Sequence, residues 1–187
     1  MRLHRHGAVL LALAGSLAFV PASGADTGGT VFDPQPPPAP PPVTGFASIN
    51  LAGKAIPAAG TPREVRHLIT AANRLILKPY RWGGGHRPFS RGVDNAYDCS
   101  GAVSYALYGG RFLLASLDST ALARWGEKGP GRWLTVYANR RHAYLTVAGL
   151  RFDTADHDLT APKGTGPRWS VRPRPGKGFA VRHPAGF

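Results

Sequence analysis

The chain has a single cysteine and a single methionine in 187 residues, and only 10 acidic residues against 23 Lys and Arg. One cysteine permits no internal disulfide and no cysteine-rich zinc site, so any role for the thiol is solitary. The shortage of acid leaves a formal charge of +13, carried mostly by arginine. Such a chain favours anionic partners, and charge alone does not choose among nucleic acid, lipid and wall polymer. No hydrophobic run reaches the roughly twenty residues that a membrane-crossing helix needs. Hydrophobic residues at 43% and aromatics at 10% are nevertheless enough for a buried core.

The apolar run that does exist, residues 7–20, follows Arg2 and Arg5 and precedes Ser23-Gly24-Ala25. A short apolar stretch behind a basic start and before a small-x-small site has the form of a signal peptide. Residues 1–25 are therefore expected to direct export. Residues 26–60 are expected to be a linker, since Pro34, Pro36, Pro37, Pro38, Pro40, Pro41 and Pro42 favour extended polyproline II. The globular part is expected to begin between Thr44 and Thr61, and 61–187 is read as one domain.

Thr61-Pro62-Arg63-Glu64 has the pattern of a capping box with proline at the first helical position. Val65, Leu68, Ile69, Ala72, Leu75 and Ile76 follow at helical spacing, and Pro79 stops the run. The loop Tyr80-Arg81-Trp82-Gly83-Gly84-Gly85 lacks the Lys and Ser/Thr of a phosphate loop. Asp98-Cys99-Ser100-Gly101 leads into helix formers stopped by Gly109-Gly110. Cys99 thus stands at a helix N-terminus, where unsatisfied N–H groups and the macrodipole favour a thiolate. A buried structural thiol is the competing reading, weakened by the polar and small neighbours Asp98, Ser100 and Gly101.

A short helix from Asp118-Ser119 to Trp125 precedes strand-like sequence at Trp133 to Tyr137 and at His142 to Thr154. A two-residue turn at Ala148-Gly149 sets Val147 against Leu150 and Leu145 against Phe152. His142 and Asp153 then share a face, while a longer loop would bring Thr154 there instead. The segments around Trp169 and Phe179 are short apolar pieces among Pro/Gly turns. The basic residues of this end (Lys163, Arg168, Arg172, Arg174, Lys177, Arg182) are read either as a solvated face or as a polyanion site.

A thiol nucleophile needs a base within reach and a third group orienting that base. Cys99, His142 and Asp153 or Thr154 supply one candidate for each role. The stretches 80–84, 98–105 and 142–149 resemble the NlpC family of papain-like cysteine peptidases that cleave bacterial cell-wall stem peptides. The resemblance implies an α+β, papain-like fold in which the Cys helix packs on a small antiparallel sheet. It also implies Cys99 as nucleophile, His142 as base and Asp153 or Thr154 as third residue. By the same resemblance Tyr80 lies near the oxyanion, Asp98 and Ser100 grip a substrate amine, and no cofactor or metal is required. Three departures stand out: the long basic loop 85–96, Gly131-Arg132-Trp133-Leu134 before the histidine strand, and Tyr144 where the family has glycine.

The function expected is an exported peptidoglycan endopeptidase, secreted or periplasmic, whose basic surface meets anionic wall polymer. A catalytically silent wall-binding module is the alternative. A metal site drawing on His86, His142 and His157 lacks paired ligand spacing, and no nucleic-acid motif is present. Oligomeric state is not readable from the sequence.

Overall fold

The computed structural model describes residues 45–155 and 166–187. The expected signal segment, the proline run and His157 lie outside these residues. In chain order the elements are β1 (Ser48–Ile49), β2 (Ala55–Ile56), α1 (Arg63–Asn73), α2 (Cys99–Gly109), α3 (Ser119–Leu122), β3 (Glu127–Lys128), β4 (Leu134–Ala138), β5 (Ala143–Val147), β6 (Leu150–Asp153), β7 (Arg168–Ser170) and β8 (Ala180–His183). The fold class is α+β. Strands β3 to β8 form one antiparallel sheet in the order β3-β8-β4-β5-β6-β7, and β1 pairs with β2 apart from it.

Helix α2 lies between α1 and the sheet, against β5 and β6. Its residues from Ser100 to Leu107 are all buried, which explains why this stretch is small and apolar all round rather than amphipathic. Helix α1, exposed on one side, keeps the one-sided pattern: Val65, Leu68, Ile69 and Ala72 are buried and its polar residues are not. Val103, Leu107, Val136, Leu145 and Phe152 complete the core, each contributing about 1.5–3 kcal/mol for full burial of the larger side chains.

Residues 45–60, read from composition as the end of a linker, are partly folded. Ala47 and Ala55 are buried, and the Ala47 N–H donates to the Ala148 carbonyl at 2.9 Å. Asn73, at the end of α1, accepts from the Ala55 N–H at 2.9 Å and from the Trp169 indole at 2.8 Å. The capping box at Thr61 does not form: α1 starts after Pro62 with no side-chain cap, and the Thr61 hydroxyl donates to the Ala58 carbonyl at 2.7 Å. A nearby carbonyl competes successfully for a short hydroxyl. Helix α3 ends at Leu122 and runs on in turns, short of Trp125.

The hairpin has the register expected, Leu145 opposite Phe152 and Val147 opposite Leu150. Ala148 and Gly149 take φ of 46° and 85°, as a tight turn between twisted strands requires. The face opposite the core, with Tyr144, Arg151 and Asp153, is also buried.

Gly101, in the first turn of α2, faces the Gly84 carbonyl so closely that a Cβ there would lie 2.2 Å from the oxygen. The same carbonyl accepts from the Asp98 N–H at 3.0 Å, locking the glycine loop onto the helix start. Gly101→Ala is accordingly expected to cost about 2–3 kcal/mol of stability, measured by urea unfolding; a variant as stable as the parent would contradict this packing.

Candidate active site

Cys99 is the first residue of α2. Asp98 caps the helix from the residue before, its Oδ1 accepting from the Gly101 N–H at 2.7 Å. The thiol is half-buried and lines an open cleft of about 440 Å³. The walls of that cleft include Tyr80, Trp82, His86, Asp98, Ser100 and, across from them, Arg140 and Arg141. Among residues 85–96 only His86 reaches this cleft. The rest of the loop folds onto α2 through Phe89, whose ring stacks on Tyr108 at 4.4 Å, and is closed on itself by an Arg87–Asp94 ion pair. The long loop therefore does not cover the cleft.

His142 immediately precedes β5. The turn before it fixes its place: Asn139 Oδ1 accepts from the backbone N–H groups of Arg141 at 2.9 Å and His142 at 3.0 Å. The imidazole Nε2 lies 2.7 Å from Asp153 Oδ1. Asp153, not Thr154, is the residue brought to His142; Thr154 Oγ1 is buried without a hydrogen-bond partner among the described residues. With Nε2–H donated to the carboxylate, Nδ1 is the nitrogen left to accept a proton from the thiol. Burial alone would lower the His142 imidazole, but its hydrogen bonds to Asp153 and Cys99 and the charges of both raise it to about 9. The Asp153 side chain is completely buried. Burial opposes its ionisation, and the hydrogen bond and charge of His142, the Ala155 N–H and Arg174 hold it below the usual carboxylate range all the same.

A second Asp–His pair lies on the other side of Cys99. His86 Nε2 stands 3.0 and 3.1 Å from the two oxygens of Asp98, and its Nδ1 is 2.9 Å from the Ser116 hydroxyl. Asp98 further accepts from the Gly83 N–H at 3.0 Å and from the Ser100 hydroxyl at 3.1 Å. The hydrogen bond to Asp98 raises His86 above its ordinary value against the opposing effect of burial. Asp98 is held low by His86, Gly101 and Ser100 although burial pushes it up. Both side chains expected to grip a substrate amine thus already meet His86, Asp98 as above and Ser100 with its Oγ 3.3 Å from Nε2.

Tyr80 is partly exposed at the cleft. Its hydroxyl is pushed up by burial and then by the charges of Cys99 and Asp98, so it stays a protonated donor at neutral pH. His86 and Arg174 are the two neighbours that sequence reasoning missed. His86 was legible as one basic residue of a long loop and as a metal-ligand candidate, and Arg174 only as one of a basic C-terminal stretch; neither has spacing that ties it to its aspartate. Among the described residues no group of three His, Cys, Asp or Glu side chains could hold a metal ion.

His142 is raised from 6.5 to about 9 in the folded chain. A raised histidine stabilises fully below pH 6.5, and that contribution is lost as pH rises through about 9. Urea unfolding should therefore show stability falling from pH 6.5 to 9.5, with a shallower fall in His142→Gln and the remainder due to His86. Parallel curves for the two proteins would contradict the ion pair.

No family model and no curated protein sequence matches the chain. Among solved structures it is similar to the P60 domain of an antigen from M. avium subspecies paratuberculosis, at 22% identity and a TM-score of 0.47, over 64% of this chain and 94% of that one. It is also similar to the peptidoglycan hydrolase RipB from Mycobacterium tuberculosis, at 22% identity and 0.47, over 68% of each chain. A variant of the resuscitation promoting factor interacting protein RipA is similar at 20% identity and 0.47, over 74% of this chain and 71% of that one.

Proposed function

We propose that the chain is an exported cysteine peptidase that hydrolyses peptide bonds in peptidoglycan stem peptides. The observation that carries the reading is the set Cys99, His142, Asp153: a thiol at a helix start, an imidazole whose proton affinity that thiol raises, and a buried carboxylate 2.7 Å behind the imidazole. Thiol, base and orienting group are the three parts that nucleophilic catalysis requires. The motifs at 80–84, 98–105 and 142–149 support the substrate class, and the basic surface suits an anionic wall.

Proton transfer from Cys99 to His142 gives a thiolate and an imidazolium. The thiolate sulfur attacks the scissile carbonyl carbon, and the carbonyl oxygen takes the negative charge. Of the first-turn N–H groups of α2, which have no intrahelical partner, Asp98 takes that of Gly101; those of Cys99 and Ser100, with the Tyr80 hydroxyl, are the donors for that oxygen. The carbon–nitrogen bond breaks as the imidazolium gives its proton to the leaving amine. Water then attacks the thioester while His142 takes the water proton, and the thiolate leaves. Asp153 stays ionised throughout and holds the ring with Nε2 toward itself.

Residues 1–25 would direct export, and the proline-rich stretch would space the peptidase domain from what precedes it. Arg140 and Arg141 stand exposed on the cleft wall, where they would meet carboxylates of an acidic stem peptide.

Cys99→Ala should abolish release of peptides from purified peptidoglycan, and Asp153→Asn should lower the rate by about a hundredfold or more, both read by mass analysis of the soluble products. Full activity in Cys99→Ala would overturn Cys99 as the nucleophile, and wall binding with no peptide release by the parent chain would favour the wall-binding module instead.

A further inference from the structure

Asp153 has two oxygens, and His142 uses one. The other, Oδ2, accepts from Arg174 Nη1 at 2.9 Å. Arg174 comes from the segment between β7 and β8, far along the chain from the hairpin that carries His142 and Asp153. Its approach is specific. The guanidinium carbon lies 5.5 Å from the Tyr144 ring centre and 5.7 Å from that of Phe179, and the Tyr144 hydroxyl donates to the Arg174 carbonyl at 3.4 Å. Tyr144 in turn stacks on Tyr137 at 4.6 Å with the rings nearly parallel. Pro173 and Pro175 flank the arginine and restrict the backbone on both sides of it. Gly176 brings the same segment against Tyr137, where a Cβ would stand 3.0 Å from the ring.

We propose that Arg174 is a positioning residue of the Cys99 centre: bound to Asp153 Oδ2, it fixes the carboxylate against His142 and balances its charge, so that the imidazole can release a proton as well as take one. This rests on the peptidase reading above. The physical reason is the burial of Asp153. A buried carboxylate facing one imidazole would bind the imidazolium proton too firmly for transfer to a leaving amine. A second cation on the far oxygen weakens that hold while keeping the carboxylate ionised. A forked, planar guanidinium over two aromatic faces does this without moving.

Other charged and titratable groups also surround Asp153 and His142. Arg151, on the same strand as Asp153, makes a longer ion pair with Oδ2 at 3.6 Å. Arg168 is the register partner of Asp153 on β7, but its Nε is directed to the Gly166 carbonyl at 3.4 Å. Cys99 faces His142 from α2, and Tyr144 faces it from β5 with ring centres 6.3 Å apart.

The test is the rate of Cys99 alkylation by iodoacetamide against pH, followed by intact mass, in the full chain. The wild type should show an alkaline inflection set by the imidazolium that is absent in His142→Gln, where only the thiol's own ionisation remains. In Arg174→Gln, and in Arg174→Met, whose stem keeps the packing on Tyr144 and Phe179, the inflection should move to higher pH by about half a unit or more, because one fewer cation opposes the imidazolium. Arg174→Lys, which keeps the charge, should stay near the wild type. A purely structural role would lower the melting temperature and leave the inflection in place. An inflection that stays, or moves to lower pH, in either folded variant overturns the role of Arg174. A wild type with no inflection dependent on His142 overturns the peptidase reading itself.

Discussion

Asp98 is a carboxylate with every acceptor direction taken. One side chain receives the Gly101 N–H of α2, the Gly83 N–H of the glycine loop, the Ser100 hydroxyl and the His86 imidazole. The helix start, the loop ahead of it and the long excursion 85–96 are therefore tied at one point, one residue before the thiol. The orientation of Cys99, the shape of the cleft wall and the close approach of Gly84 to Gly101 all follow from that knot. Removing one partner of a buried ion pair typically costs about 3–5 kcal/mol, because the other charge is left behind.

Two aspartate–histidine pairs thus flank a single thiol, and their surroundings divide their work. Asp98 and His86 sit in a dense set of hydrogen bonds with Ser100 and Ser116, an arrangement that holds its proton and its geometry. Asp153 accepts from His142 and the Ala155 N–H on one oxygen and faces Arg174 and Arg151 with the other. Both ring nitrogens of His86 are engaged, by Asp98 and by Ser116, whereas Nδ1 of His142 is not taken by its carboxylate, the difference that proton transfer needs.

The parts legible in the sequence were those set by local rules. Asp98 as cap and Cys99 as first helical residue follow from the run Asp-Cys-Ser-Gly ahead of helix formers, and the structure has both. The register of β5 and β6 follows from a two-residue turn and the period of two, which is why Asp153 rather than Thr154 meets His142. Thr61 is no cap because α1 starts one residue later, after Pro62, and its hydroxyl is donated to the carbonyl of Ala58. His86 and Arg174 escaped because each meets its aspartate across loops whose paths obey no periodicity. The one clue available was negative: an acid on the covered face of a hairpin has to find cations, and the nearest arginines in sequence were not the whole answer.

The sheet order carries a temporal implication. β8 is inserted between β3 and β4, so the interior of the sheet waits for a strand some fifty residues further along the chain than β3. Closing loops of that length before their contacts form is the slow part of building such a topology. Arg174 lies on the segment that delivers β8. The guanidinium thus reaches Asp153 in the same event that completes the sheet, and a nascent chain caught before that event holds a thiol and an imidazole with their ionic setting unfinished.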